Sequence, residues 1–423
     1  MTTASPVPAS SATPWPSGLS LDALGSLDAL RANPVLGIAL LMLAAVVLAE
    51  ALHRSWRLPR ICGHMVMGAL AGPMLLQVLD PRELASWKPL IDLAIGALLF
   101  ELGTRIRPRW LFDNPWLALS CVLQALVCGG LVTAVLVAFD VPLGSAALAG
   151  AVAMSTSPAI VLAVVHETRS RGQVTERVLL MSAVNSVVAV LGIKLCGVLL
   201  ASDFDTPRDE WLQALASFAW VISGSFLLGL AGGFLLDRLG VLLRGTPAMP
   251  VLQIALVISA SLLAAQWRLS PLLALLVAGM TARERMRHGL TVEPHLGSAG
   301  AVLNVLLFIS TGLLFSLDGA HTLLPWVLAL IVARLVGSAV AVGGLARLSG
   351  LGWRQAAALT LALQPMSSLA VLLVADNFGG ASNLPGVDVF GLQALLVATT
   401  FMQLTGPVWT ALALRNVARE STA

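Results

Sequence analysis

Apolar residues fall into thirteen long runs separated by short polar or charged joints, at about 34–52, 61–79, 89–104, 115–139, 145–165, 177–201, 212–236, 249–266, 271–282, 299–316, 324–346, 355–376 and 389–414. A helix crosses the hydrocarbon layer with about 20 apolar residues. Most runs meet that length; the third and ninth are short, a mismatch that tilt and local thinning absorb. The pattern predicts an all-α polytopic membrane protein with about 13 transmembrane helices over 34–414. Residues 1–33, rich in Pro, Ser and Ala with Arg31 as the one basic residue, read as a disordered tail, with a short amphipathic helix fitting around Leu21–Leu30. No basic region precedes an apolar stretch there, so no secretory signal is read. Residues 415–423 form a short tail.

Composition narrows the class. Hydrophobic residues make up 57% and charged residues 11% of the chain, where soluble domains carry about a quarter charged residues. That excludes a disordered chain, a nucleic-acid binder, a coiled coil and a disulfide scaffold. Cys62, Cys121, Cys128 and Cys196 lie in or beside apolar runs without a C-x-x-C spacing, so they read as small core residues and not as a metal or redox site. No inter-span joint is long enough for a nucleotide domain, and no Walker pattern occurs. No enzyme chemistry, nucleotide partner or cofactor is expected.

Charge placement tests the span count. One set of alternate joints, with the N-terminal tail, holds Arg31, Arg82, Lys88, Arg208 and Arg268, while the other holds eighteen Lys and Arg residues. Cytoplasmic loops collect the basic excess. The expected placement is a bacterial inner membrane with the N-terminus outside and the C-terminus in the cytoplasm.

Two runs are interrupted near their centres. The fifth reads LAGAVAMSTSPAIVLAVV, with Ser155, Thr156, Ser157 and Pro158 at mid-membrane; the twelfth reads AAALTLALQPMSSLAVLLV, with Gln364, Pro365, Met366, Ser367 and Ser368 at the matching depth. Proline removes a backbone donor and obstructs the preceding turn, and the hydroxyls beside it can serve the freed carbonyls or a substrate. Two interrupted spans in corresponding places, running in opposite directions, point to the ion site of a secondary transporter with an inverted repeat. Ionisable groups away from the interfaces are functional candidates: Arg334 near the middle of the eleventh run and Lys194 in the outer third of the sixth. Glu101, Asp92 and Glu50 stand nearer span ends, where anchoring at the interface accounts for them. Asn185 and Ser186 are the polar pair at mid-depth of the sixth run, and no run has a carboxylate at its centre.

Several stretches resemble the monovalent cation:proton antiporters of the sodium/proton exchanger superfamily, over about residues 35–420. LPRICGHMVMGALAGPMLL is similar to that family's second span, with His64 where Tyr is usual; LIDLAIGALLFELGTRIRPRWL resembles the third and LFISTGLLFSLD the tenth. ARLVGSAVAVGGLARLSGLGWRQAAALTLAL is similar to the stretch preceding the second broken helix, and MQLTGPVWTALALR to the last span. The resemblance implies two crossing broken helices in a mobile core, a homodimer, and a monovalent cation with H+ as the substrates. It maps the family's Asn-Asp or Asp-Asp pair onto Asn185 and Ser186, and its midplane basic residue onto Arg334. The departure is Ser186: a serine hydroxyl does not titrate near neutrality. If the chain is an antiporter its proton carrier lies elsewhere, with Lys194 the first candidate and Glu101 the second.

Three functions follow. The first is Na+ or K+/H+ antiport by an elevator-like or rocking motion. The second is anion or organic-acid transport, for which an unpaired Arg334 and two half-helix N-termini would argue. The third is an exchanger-like sensor that transports nothing.

Overall fold

The computed structural model describes residues 34–72, 81–106, 108–201, 208–243, 246, 248–286, 297–313, 320–367 and 389–420. The N-terminal tail with its expected amphipathic helix, Ser368 and residues 421–423 lie outside them. Every described element is helical: α1 (Pro34–Trp56), α2 (Arg60–Ala71), α3 (Pro81–Arg105), α4 (Pro108–Asp113), α5 (Pro115–Ala138), α6 (Leu143–Ala153), α7 (Pro158–Thr168), α8 (Gln173–Ala201), α9 (Arg208–Leu242), α10 (Met249–Gln266), α11 (Pro271–Met286), α12 (Gly297–Leu313), α13 (Ala320–Leu345), α14 (Trp353–Ala362) and α15 (Val389–Leu412), the last running into a π-helical turn, Ala413–Ala418. Each of the thirteen expected runs meets a helix, and the fifth meets two, α6 and α7. The short α4 lies in a joint where no element was expected.

Eight described segments are long and apolar enough to cross a membrane on their own composition. The five remaining runs correspond to α2, α3, α11, α12 and α14, which are shorter or carry charges. Four of these five press backbone against backbone. A Cβ on Gly68 of α2 would lie 2.1 Å from the Ile309 carbonyl oxygen of α12, and one on Gly312 would lie 2.1 Å from that of Met65. The same arrangement joins α3 and α11: a Cβ on Gly103 would meet the Leu276 oxygen at 2.3 Å, and one on Gly279 the Phe100 oxygen at 2.2 Å. In both crossings each glycine faces the carbonyl three residues before the other. Small residues that let helices approach this closely are the usual glue in lipid, where no hydrophobic force drives helices together.

The helices sort into two packing groups. α1–α3 pack with α9–α12, and α5–α8 pack with α13–α15. Where the groups meet, the seam is apolar: Ile61, Met65, Leu98 and Leu102 lie against Ile160, Val161, Val164 and Val165 in one buried cluster. Side chains such as Leu43, Leu227, Leu262 and Val340 are exposed on α1, α9, α10 and α13, as lipid-facing positions are.

Polar contacts close one end of the molecule. Both Glu167 carboxylate oxygens accept from the Arg60 backbone N–H at 3.0 and 2.9 Å, and His53 stands 3.1 Å away. Arg415 donates to the Arg57 carbonyl, Arg354 to that of Val417, and Arg283 to that of Thr104. These contacts bring several of the basic joints together.

Candidate functional site

The break in the fifth run forms because Pro158 cannot donate to the turn before it. α6 ends at Ala153, residues 155–157 are non-helical with Ser157 extended, and Pro158 opens α7 as its first residue, a position that suits its fixed φ. The Ser157 hydroxyl accepts from the Ile160 N–H at 3.4 Å, capping the new helix. In the twelfth run α14 ends at Ala362, and residues 364–367 are non-helical.

The two non-helical stretches bond to each other. The Ser157 N–H donates to the Pro365 carbonyl at 2.8 Å, the Thr156 hydroxyl to the Leu363 carbonyl at 3.1 Å, and the Ser367 N–H to the Ser155 hydroxyl at 3.4 Å. The two interrupted stretches therefore meet, while the twelfth run beyond Ser367 lies outside the described residues.

Arg334, on α13, is wholly buried beneath this crossing. Its guanidinium donates to the Ala153 carbonyl, to the Ser155 carbonyl at 2.7 Å and to the Leu363 carbonyl at 3.0 Å, and it reaches the Thr156 hydroxyl at 3.3 Å. Ala153 and Leu363 sit at the C-terminal ends of α6 and α14, where four carbonyls per helix lack an intrahelical partner. Each such end carries about half a negative charge, so two together offset one guanidinium without a carboxylate. The expectation of an unpaired Arg334 that would attract an anion is corrected here: its charge is committed to helix C-termini.

Asn185 and Ser186 come up to the crossing from α8. Ser186 Oγ lies 2.9 Å from both the Thr156 and the Ser182 carbonyl oxygens. The Asn185 amide is 3.1 Å from Thr156 Oγ1 and 2.7 Å from the Gln124 amide of α5. Thr156 is therefore the hub where both breaks, Asn185 and Arg334 converge. Gln364 donates to the Thr360 carbonyl at 2.7 Å, while its buried side-chain oxygen has no hydrogen-bond partner.

Of the sequence-predicted site residues, Ser155, Thr156, Ser157, Asn185, Ser186, Arg334, Pro158, Pro365, Gln364 and Ser367 gather here. Lys194 and Glu101 do not. Lys194 is half-buried on α8, nine residues beyond Asn185, or about 13 Å along the helix. Glu101 pairs with Arg105 at 3.0 Å and His166 at 3.1 Å, at the end where the basic joints meet. Among the described residues no buried side chain is a carboxylate. The four cysteines are free, and no group of described residues has metal-ligand character.

Sequence reasoning missed Gln124 and Ser338, which extend the network, and Thr311 and Gln403. The latter two join Ser157 and Ser367 as the polar lining of a small cleft of about 30 Å³ between the two helix groups, walled by Leu98, Pro158 and Phe308. A signal for Gln124 existed: a carboxamide in mid-span, costly in lipid unless paired.

No protein of curated function matches the chain by sequence. Among solved structures, two of the sodium proton antiporter MjNhaP1 from Methanocaldococcus jannaschii share the fold. The structure at pH 8 has a TM-score of 0.64 at 15% identity, covering 94% of this chain and 99% of that one. An electron-microscopy structure also has a TM-score of 0.64, at 16% identity over 92% of this chain and 100% of that one. The model of the transmembrane sodium/hydrogen exchanger family matches residues 38–414, from α1 to the π-helical turn, and the chain belongs to that family.

Proposed function

We propose that this protein is a secondary antiporter exchanging a monovalent cation, Na+ or K+, for H+ by alternating access, with the crossing as its ion site. The observation that carries the reading is the crossing itself. Two unwound backbones bonded to each other leave side-chain and carbonyl oxygens of Ser155, Thr156, Ser157, Asn185, Ser186, Gln364 and Ser367 in one place, beside a cleft that opens along an apolar seam. Irregular backbone at membrane depth is tolerated only where it lines such a site. Oxygen ligands suit a hard monovalent cation, and an Arg334 charge balanced by helix C-termini leaves no attraction for an anion. The matched glycine crossings of α2–α12 and α3–α11 support an inverted repeat, and the alternation of basic joints supports a cytoplasmic C-terminus.

Proteoliposomes holding a pH dye should report internal alkalinisation when Na+, K+ or Li+ is added outside. Silence with all three cations would sink the reading.

Proton coupling needs a titratable group, and for this role we propose Lys194, with Glu101 second. Lys194 lies on the helix that carries Asn185 and makes no ion pair with any described residue. Replacing it with alanine should leave cation binding intact and abolish the pH response of the dye. A retained, pH-dependent exchange would remove Lys194 from the mechanism.

A further inference from the structure

Gln124 is fully buried in α5 and bonded at both ends. One end of its amide meets Asn185 at 2.7 Å; the other reaches Ser338 Oγ at 3.0 Å and Cys128 Sγ at 3.4 Å. Cys128 in turn contacts Ser338 at 3.0 Å and the Arg334 carbonyl oxygen at 3.2 Å. A single carboxamide thus ties the helix carrying Arg334 to the helix carrying Asn185.

The Asn185 amide can face two ways, and its surroundings choose between them. One of its two terminal atoms lies 3.1 Å from the Met181 carbonyl oxygen and 3.3 Å from that of Cys121. Carbonyls only accept, so that atom is the nitrogen. The oxygen then faces the Thr156 hydroxyl at 3.1 Å and one end of the Gln124 amide at 2.7 Å, an end that stands farther, 3.1 Å, from the Asn185 nitrogen. The Ser338 hydroxyl and the Cys128 thiol can both donate, so the Gln124 oxygen can turn to them and its nitrogen to Asn185.

We infer that Gln124 is a positioning residue of the ion site, holding the Asn185 oxygen toward the crossing where it serves as a cation ligand. The inference rests on the crossing being the ion site, as proposed above. An apolar side chain of equal length would fill the same space and leave the Asn185 oxygen with the Thr156 hydroxyl as its one neighbouring donor. That hydroxyl also faces the Leu363 carbonyl, so it cannot hold Asn185 alone.

The test is the full-length protein in proteoliposomes, with the apparent KM and maximal rate read from Na+ and K+ jumps. Gln124→Met should raise the apparent KM about tenfold, the scale of one hydrogen bond lost from a ligand group, with the maximal rate changed less than about threefold. Asn185→Ala should raise KM as much, and the double variant should be no worse than Asn185→Ala alone, since the two act as one unit. Ser338→Ala, which loosens only the far end of Gln124, should raise KM about two- to threefold. If Gln124→Met does not fold, Ser338→Ala carries the test. An unmoved KM in a folded variant, a fall in maximal rate alone, or independent effects in the double variant would overturn the inference. A wild-type protein silent to every cation would instead overturn the function on which it rests.

Discussion

Arg334→Ala should be inactive in ion exchange and should lower the melting temperature of the purified protein by several degrees. The guanidinium serves three carbonyls and one hydroxyl, all from the two broken helices. Each buried group left unsatisfied costs about 1–3 kcal/mol. Breaking a buried, hydrogen-bonded charge from one side costs roughly 3–5 kcal/mol. Against this stands the desolvation of the guanidinium, which the alanine variant no longer carries. The acceptors win because two helix C-termini already compensate the charge, so its removal leaves about one negative charge of aligned carbonyls uncompensated. Lysine should restore only part of the stability, since a single ammonium cannot span carbonyls that a planar fork reaches together. Scanning fluorimetry in detergent measures this directly; an alanine variant with wild-type melting would show that the crossing holds itself.

Ser186→Asp should convert the site from neutral to titratable. Ser186 Oγ sits 2.9 Å from each of two carbonyl oxygens, and serine can donate to them. An ionised aspartate can only accept. Placed there it would face the Thr156 and Ser182 carbonyls with no donor, and either a proton or a bound cation relieves that repulsion. The two then compete. At alkaline pH the apparent KM for Na+ or K+ should fall on the order of tenfold below wild type, equivalent to about 1.4 kcal/mol of added binding. As pH falls and the carboxylate protonates, that gain should disappear. Measuring KM at several pH values checks it, and a variant with wild-type KM across the range would place the cation away from Ser186. The variant also bears on Lys194: a carrier at the crossing would make one nine residues farther along α8 redundant.

What was legible beforehand was local. Hydropathy marked all thirteen runs because each must bury about 20 residues in lipid whatever its neighbours. Pro158 and Pro365 marked both breaks because a missing N–H acts within one turn. The alternation of basic joints was legible too, because loop charge is sorted span by span. What the pattern could not supply was pairing. Arg334 was visible as a buried cation, but its acceptors at the end of α6 and in the break after it lie 178–181 residues away in sequence. Without them it read as a charge seeking an anion.

Asn185 was visible as a polar residue. Its link to Gln124, 61 residues away, depends on how α5 packs against α8. The glycine crossings are of the same kind, since Gly68 and Gly312 need to be glycine only because two backbones meet there. Sequence alone determined that this is a membrane protein of the exchanger type with two broken helices and no central carboxylate. The tertiary structure alone decided that its buried charge is neutralised by the ends of those helices and that its polar centre is one connected network. The physical reason is reach: apolar burial and proline act on the segment that contains them, whereas a hydrogen bond in lipid exists only once distant helices have packed to within about 3 Å.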